Sequence, residues 1–284
     1  MSNKPLVSFL IPYYNHKQYV AQTLDSILKD TYPNKEIVII NDGSTDTDIG
    51  VINDWVEKNS NILPINLISR ENKGITKTFN ELAGLSKGKY IVICASDDYL
   101  INDTIKDRVD ILEKNPEKMI LLADTTVVNK DNGIIHESSM DDWPPYKCSN
   151  KKNYFSDNGL ADEIINRWSI TGPCSMLNKK LFIKSGCYDE TLFLEDWDFY
   201  LRAAANESIL YYDKKVAAYR IHGKNFTSKG NLKLIYSLYL SAKKNYPLFK
   251  NPYKRQLLMR KNKLLLQLII YPLKYISRMI RGKL

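Results

Sequence analysis

Short apolar runs rich in Val and Ile alternate with longer amphipathic stretches along the first hundred residues. This alternation is typical of βαβ units on a parallel sheet. The pattern predicts strands and helices in turn, at residues 7–12, 19–28, 36–40, 49–58, 63–69, 75–85 and 90–95. Polar turns follow the second and fourth strands, at 41–46 and 96–98, and ligands of open α/β sheets bind at such strand ends.

The alternation weakens after residue 100. Helices are predicted at 103–114 and 196–205, and strands at 119–129, 133–138 and 209–220. Asn132 and Gly133, between two of these strands, predict a hairpin turn. The polar stretch 140–160, which contains Pro144 and Pro145, predicts a mobile loop.

Composition adds a charge asymmetry. The chain has 284 residues, 44% of them hydrophobic and 26% charged, which is typical of a folded globular protein and excludes a disordered or collagen-like one. Of its 41 Lys and Arg, 18 follow Asp213, the last acid, so residues 214–284 carry +18. The first 213 residues, with 23 bases and 32 acids, carry −9. We expect an α/β domain over 1–228, with halves meeting at residue 100, and a basic helical extension at 229–284.

Targeting signals are not predicted. The N-terminus is polar, and the longest apolar run, 264–273, has about half the length of a bilayer span and contains Gln267 and Pro272. The four cysteines have no Cys-x-x-Cys spacing, and we expect reduced thiols of a cytosolic protein.

Acids at the ends of predicted strands are the first candidates for chemistry. Asp42 stands before Gly43 and could accept hydrogen bonds from a base or a ribose, although such residues also form ordinary turns. Asp97 and Asp98 follow a buried strand, and adjacent carboxylates repel each other unless a cation lies between them and a phosphate. A helix N-cap is the alternative, but the predicted helix begins only near residue 103.

A second group of candidates lies later in the chain. Glu195 and Asp196 begin a predicted helix, where the helix dipole alone would favour acids. Their apolar flanks would raise the pKa of an inward-facing carboxylate toward the range of a general base. His222 is one of three histidines. A lone histidine is usually structural, but two acidic sites without a third ligand type make it a candidate metal ligand.

In order along the chain, these residues resemble the landmarks of glycosyltransferase family 2. The landmarks lie at 7–15 (VSFLIPYYN), 41–46 (NDGSTD), 71–74 (ENKG), 96–98 (SDD), 195–196 (ED) and 219–222 (YRIH). The resemblance covers about residues 5–225, and six ordered landmarks are far more specific than any one. It implies the nucleotide-sugar-binding GT-A fold, a mixed, mainly parallel sheet flanked by helices, and sugar transfer with inversion at the anomeric carbon.

The resemblance also implies which residues bind the nucleotide sugar. Pro12, Tyr14 and Asn15 would lie at the nucleotide-binding end of the first strand, with Tyr14 near the base. Asp42 would hold the base or ribose, and Lys73 belongs to the landmark beside it.

The metal and the catalytic base are implied in the same way. Asp97 would contact the ribose, and Asp97, Asp98 and His222 would hold a divalent cation, Mn²⁺ or Mg²⁺, at the diphosphate. Asp196 would be the general base, with Glu195 its neighbour.

Two positions depart from the family pattern. Ala95 stands where many members have a first acid, so a D-x-D motif is not available and either Asp97 or Asp98 could contact the metal. Asn41 stands where an acid is common, which leaves Asp42 in place.

The implied function is addition of one sugar to a glycan in the assembly of a bacterial surface polysaccharide such as O-antigen, capsule or lipopolysaccharide. The basic C-terminal extension suggests that this glycan is linked to a lipid. A UDP sugar is the favoured donor. A nucleotidyltransferase and a non-catalytic sugar- or lipid-binding protein remain alternatives. A glycosidase also uses paired carboxylates, but it does not explain the polar turns at the strand ends.

The tail suggests where the protein acts. Residues 254–284 hold nine Lys or Arg, no acid, and aliphatic residues at helical spacing. Such a helix can lie on an anionic membrane surface, which predicts a cytoplasmic protein that is peripheral on the inner face of the membrane. Packing of the helix on the catalytic domain is the alternative. Nucleic acid is not an expected partner, because no binding motif is present.

Overall fold

The computed structural model describes residues 4–45, 49–144, 147–167, 170–223 and 232–280, with only the backbone for 272–280. Among these residues one mixed sheet contains nine strands, and its path runs β3-β2-β1-β4-β8-β6-β9-β5, with β7 paired to β6. Helices flank this sheet. The predicted fold class is confirmed.

The first half is the predicted alternation. Its elements are β1 (Val7–Tyr13), α1 (Lys17–Lys29), β2 (Lys35–Asp42), α2 (Gly50–Asn59), β3 (Ile65–Arg70), α3 (Ile75–Leu85) and β4 (Tyr90–Ile93). β1 is central and pairs in parallel with both β2 and β4. Every residue of β1 and β4 is buried, which explains why these strands appear in the sequence as continuous apolar runs. The carboxyl ends of these strands therefore meet at one edge of the sheet.

The second half contributes the remaining five strands of the sheet. Its elements are β5 (Tyr99–Leu100), α4 (Ile105–Lys114), β6 (Ile120–Asn129), β7 (Ile134–His136), α5 (Asp157–Asn166), β8 (Met176–Asn178), α6 (Lys180–Lys184), α7 (Asp196–Ala205) and β9 (Ile209–Ile221). The β6–β7 hairpin forms as predicted, and β8 lies antiparallel between β4 and β6. β9 pairs in parallel with β6 and ends beside β5, close to the turn that follows β4.

The described part of 140–160 differs from the predicted mobile loop. A 3₁₀ turn at Lys151–Phe155 leads into α5, whose N-cap Ser156 accepts a hydrogen bond from the backbone N–H of Gly159. Glu163 on α5 is fully buried and accepts hydrogen bonds from the backbone N–H groups of Ser149 and Asn150. Contacts with a buried acid farther along the chain order this polar stretch, so its local composition did not predict its structure.

Two helices form the C-terminal extension, α8 (Leu232–Asn245) and α9 (Tyr253–Ile280). α8 packs on α7, and α9 packs on α5. Ala242, Leu257 and Leu264 are buried in the same apolar core as the sheet. One face of the extension is therefore part of the folded body. Over the described residues, none of the helices is apolar enough along its length to traverse a bilayer.

Candidate functional site

The loops after β1 and β2 are joined by hydrogen bonds between side chains and backbone. The carboxamide oxygen of Asn15 accepts from the N–H of Thr45 at 2.8 Å, and the N–H of Asn15 donates to the hydroxyl of Ser44 at 3.1 Å. Asn15 adopts a left-handed backbone with φ 56°, which asparagine tolerates well. Pro12 is buried inside β1, and the Tyr14 ring beside this loop is 46% exposed. The three predicted nucleotide-binding residues therefore occupy one strand end, with an aromatic ring facing solvent.

Asp42 connects the end of β2 to the loop that precedes α3. Its two carboxylate oxygens accept from the backbone N–H groups of Lys73, at 2.8 Å, and Gly74, at 3.1 Å. It also forms a short ion pair with Arg70, the last residue of β3. These contacts fix the loop before α3 on Asp42, and Arg70 is a candidate site residue that the sequence pattern did not indicate.

Gly43, the next residue, is required by a close backbone approach. Its φ is +69°, and a Cβ placed there would lie 2.6 Å from the backbone nitrogen of Asn72. The Asn72 carboxamide in turn donates to the carbonyl of Asp42 at 2.8 Å. The two landmarks at 41–46 and 71–74 therefore form one unit, from which the half-exposed side chain of Lys73 projects.

Asp97, in the turn that follows β4, lies between two imidazoles. Its Oδ2 is 2.9 Å from Nε2 of His222, which follows β9, and its Oδ1 is 3.7 Å from Nδ1 of His16, which precedes α1. One ligand atom from each of these three residues lies within 4.8 Å of the other two. A carboxylate with two imidazoles is a ligand set suited to Mn²⁺ and other first-row transition ions, whereas Mg²⁺ prefers oxygen ligands. The residues present therefore fit a divalent cation.

Asp98 points in a different direction. Its Oδ1 accepts the backbone N–H of Arg220 at 2.8 Å, and the residue is 2% exposed. Burial, and then the charge of Asp97, raise the pKa of Asp98 well above its usual range. Among the described residues, the cluster of possible metal ligands contains Asp97 and not Asp98.

Arg220 holds this turn in place. Its guanidinium donates to the carbonyl of Asp97 at 2.7 Å and to the side-chain oxygen of Asn132 at 2.9 Å. It also lies over the Tyr19 ring, 4.6 Å from the centroid. His16 and Arg220 were both missed as site residues, although His16 directly follows the landmark at 7–15 and Arg220 lies within the one at 219–222.

Glu195 and Asp196 stand at the start of α7. Glu195 is 6% exposed and is hydrogen bonded to the side chain of Thr76, in the first turn of α3. The carboxylate of Asp196 accepts the N–H of Trp197 at 2.6 Å. Burial raises the pKa of both acids, and the charge of Asp196 raises that of Glu195 further. A buried carboxylate with a raised pKa is a stronger base than an exposed one, so this pair is suited to accept a proton.

A sequence model described as glycosyl transferase family 2 matches residues 8–186, more than half of the chain. The chain belongs to glycosyltransferase family 2. The resemblance found in the sequence is thereby confirmed, and the matched region contains four of the six landmarks completely or nearly so.

Curated relatives include glycosyltransferases and polysaccharide synthases of bacteria. An uncharacterized glycosyltransferase of Haemophilus influenzae is 27% identical over 242 residues, which cover 81% of this chain and 70% of that protein. A chondroitin synthase of Escherichia coli is 25% identical over 225 residues, covering 79% of this chain. The match spans only 30% of that synthase, so the relative contains much that this chain does not.

Solved structures show the same fold. S. aureus TarS in complex with UDP-GlcNAc matches with a TM-score of 0.69 and 22% identity, covering 91% of this chain and 72% of that one. The mannosyltransferase PcManGT from Pyrobaculum calidifontis, in complex with GDP-Man and Mn²⁺, matches with a TM-score of 0.70 and 16% identity, covering 100% and 77%. These likenesses confirm the expected GT-A fold.

Proposed function

We propose that this protein transfers a sugar from a nucleotide diphosphate sugar to a hydroxyl of a glycan acceptor, with inversion at the anomeric carbon. The observation that carries this proposal is the cluster of His16, Asp97 and His222 in a family 2 chain, at the strand ends where ligands of such sheets bind. The outer loops supply the remaining nucleotide contacts, through Tyr14, Asn15 and the unit formed by Asp42 and residues 71–74.

The donor is a nucleotide sugar, and we favour a UDP sugar. TarS, which was solved with UDP-GlcNAc, is more similar in sequence to this chain than PcManGT, which was solved with GDP-Man. The exposed ring of Tyr14 offers a stacking surface for a base. The half-exposed ammonium of Lys73 lies 3.8 Å from the carboxylate of Glu81, and in this proposal it turns to a phosphate of the donor. Asp42 supports these donor contacts by fixing the loop that carries Lys73.

The divalent cation would be held by Asp97, His222 and His16, with Mn²⁺ preferred over Mg²⁺ because two of the three ligands are nitrogen. When bound, it supplies a positive charge that stabilises the departing diphosphate. Asp98 belongs to this site as the residue that fixes the turn, through its bond to Arg220. This is the division of labour that we propose for the contiguous acid pair.

Asp196 is the general base of the proposed reaction. As the acceptor oxygen attacks the anomeric carbon, its proton moves to the Asp196 carboxylate, and the bond between that carbon and the diphosphate oxygen breaks on the opposite face. Glu195 keeps its own proton and adds no second negative charge to the site. Attack by the acceptor itself requires no covalent intermediate on the enzyme, and one displacement inverts the centre.

The acceptor in this proposal is a lipid-linked glycan of bacterial surface polysaccharide assembly, reached by a protein that lies on the inner face of the membrane. The outer face of α9 supports this position. Met259, Leu266 and Ile269 are 62%, 54% and 58% exposed there, beside the basic residues of the tail. An exposed apolar row flanked by cations fits an anionic lipid surface.

A thermal-shift panel tests the proposal. UDP-, GDP-, CMP- and dTDP-sugars are each added with and without Mn²⁺ to the wild-type protein and to Asp97→Asn. We expect stabilisation by one nucleotide class that requires Mn²⁺ and is lost in the variant. Folded protein that responds to none of these donors would contradict the proposal. Asp196→Asn with undiminished biological activity would instead favour a non-catalytic sugar-binding protein.

A further inference from the structure

Arg260, on the C-terminal helix α9, reaches the residue next to the proposed base. It lies on the inner face of α9 between Leu257 and Leu264, both of which are buried. Its guanidinium is 4.4 Å from the centroid of the Trp197 ring, and its Nη1 donates to the carbonyl of Ile165. Burial lowers the pKa of Arg260 to about 10, which leaves the guanidinium charged at neutral pH.

Trp197 transmits this contact to Asp196. Its ring is fully buried, and its Nε1 donates to the carbonyl of Ile164 at 2.8 Å. Its backbone N–H donates to the Asp196 carboxylate at 2.6 Å. Contacts that hold the Trp197 ring therefore restrain the first turn of α7, which carries the N–H that Asp196 accepts.

The same two side chains close the end of α5. The last carbonyls of a helix have no partner within the helix, and a cation near them is favourable. Trp197 and Arg260 donate to the successive carbonyls of Ile164 and Ile165. A planar guanidinium can stack on an indole and donate in its own plane at the same time, which a lysine cannot do.

The other helix of the extension contacts the same turn of α7 independently. Asp198 is fully buried, and its Oδ1 accepts from the carboxamide of Asn245, on α8, at 2.7 Å. Its Oδ2 lies 3.4 Å from the ammonium of Lys244. Both helices of the extension thus hold the first turn of α7, one at Trp197 and one at Asp198.

We propose that Arg260 is a positioning residue for the Asp196 base, and that the C-terminal extension is part of the catalytic apparatus as well as a candidate membrane contact. This inference rests on the proposed function, because it takes Asp196 as the base. The extension completes the site by fixing the start of α7, while the strand-end loops hold the nucleotide and the cation.

The test compares four variants of the full chain: Arg260→Met, Arg260→Lys, Asp196→Asn and, as a control, Lys184→Met. Lys184 is exposed on α6 and its substitution removes the same charge. The rate of UDP release from UDP-GlcNAc, or from the donor selected by the thermal-shift panel, is measured with Mn²⁺ in membrane-free solution. UDP binding is measured separately by calorimetry.

For Arg260→Met we expect kcat to fall by about tenfold or more, because small displacements of catalytic groups have effects of this size. The KM for the donor and the affinity for UDP should stay within about twofold, since the strand-end loops are untouched. Arg260→Lys should recover part of kcat, because the cation still faces the indole. Lys184→Met should behave as the wild type.

Two outcomes would overturn the inference: wild-type kcat in Arg260→Met, or an equal loss of kcat and UDP affinity, which would indicate damage to the whole domain. Asp196→Asn separates this failure from failure of the proposed function. If Asp196→Asn turns over donor at the wild-type rate, the assignment of the base is wrong. If it is inactive while Arg260→Met is fully active, the proposed function stands and only the positioning by Arg260 is wrong.

Discussion

Oδ1 of Asp98 accepts the backbone N–H of Arg220 at 2.8 Å, and the guanidinium of the same arginine donates to the carbonyl of Asp97 at 2.7 Å. The carboxylates of the two adjacent acids therefore have different partners. Asp98 faces the end of β9, whereas Asp97 faces His222 and His16. One arginine thus separates a structural acid from a candidate metal ligand.

This arrangement predicts different behaviour for two isosteric variants. Asp97→Asn should lose the stabilisation that UDP with Mn²⁺ gives, because the amide removes the negative charge between the imidazoles. Asp98→Asn should retain most of it, because the asparagine oxygen still accepts from Arg220. Thermal shift at several Mn²⁺ concentrations measures both. The reverse result, with Asp98→Asn the more damaging variant for Mn²⁺ response, would contradict the assignment.

Arg220 itself should be intolerant of lysine. The residue is 1% exposed, and its guanidinium donates to five acceptors while lying over an aromatic ring. A lysine lacks the planar fork and leaves acceptors unpaired, so Arg220→Lys should lower the free energy of unfolding by about 2 kcal/mol. Urea denaturation measures this, with exposed Arg167→Lys as the matched control. Equal midpoints for the two variants would contradict a positioning role of Arg220.

The fold was largely predictable because its first half repeats one local pattern. Residues 7–12 and 36–40 are buried on both faces, so each strand can be recognised from the continuous apolar run in its own sequence. α5 was not predicted, because its polar approach is ordered by Glu163, whose partners Ser149 and Asn150 lie more than ten residues away. The two-residue strand β5 was also too short to leave a pattern.

The site was predictable as a set of residues but not as a set of contacts. The acids Asp42, Asp97 and Asp196 stand out at element ends in the sequence. Their partners do not, because Arg70 and Arg220 are brought to them by strand pairing across 28 and 123 residues. Whether an acid faces a ligand or a buried arginine is decided by that pairing, which local spacing does not contain.

The acid pair at α7 predicts a specific pH dependence. Burial raises the pKa of Asp196, so the carboxylate form, and with it the turnover rate, should appear at a higher pH than for an ordinary aspartate. Glu195→Gln imitates the protonated Glu195 and should leave this acidic limb in place, with kcat within about tenfold of the wild type. Asp196→Asn should lose about a hundredfold or more. Profiles of kcat against pH are recorded for all three proteins. An acidic limb at a different pH in Glu195→Gln than in the wild type would contradict the assignment.

Asp30 predicts a pH dependence of stability. The residue is 8% exposed, and its pKa is raised to about 6, chiefly by burial. The hydrogen bond from the N–H of Tyr32 lowers this pKa, whereas the contact with Asp103 raises it further. Because the folded state holds this proton more tightly than the unfolded chain, the contribution to stability is present below about pH 4 and is lost as the pH rises through about 6. Asp30→Asn removes this loss and keeps the oxygen that Tyr32 requires. The variant should therefore gain about 2 kcal/mol relative to the wild type between pH 4.5 and pH 7.5.

Urea denaturation at these two pH values measures the gain. Asp131→Asn, an exposed acid on the hairpin turn after β6, provides the control and should show no such dependence. A constant difference between Asp30→Asn and the wild type at both pH values would mean that Asp30 does not titrate in this range.

The outer face of α9 should determine binding to anionic vesicles. Leu257 and Leu264 are buried against the body, so deletion of the helix would also disturb the fold, and point changes on the exposed face are the sharper test. Leu266→Glu with Ile269→Glu places acids in the apolar row without touching the buried face. In flotation with phosphatidylglycerol vesicles, this double variant should bind about tenfold less than the wild type or weaker, because it loses apolar insertion and adds repulsion.

The matched control changes two exposed isoleucines elsewhere, Ile62→Glu with Ile183→Glu, and so adds the same charge to the body. If α9 is the membrane contact, the control should float like the wild type, and both should float less with neutral phosphatidylcholine vesicles or at high salt. Equal losses in the two double variants would show that net charge alone governs binding. Equal flotation of all three proteins would remove the membrane role of α9 and would leave the proposed role of Arg260 untouched.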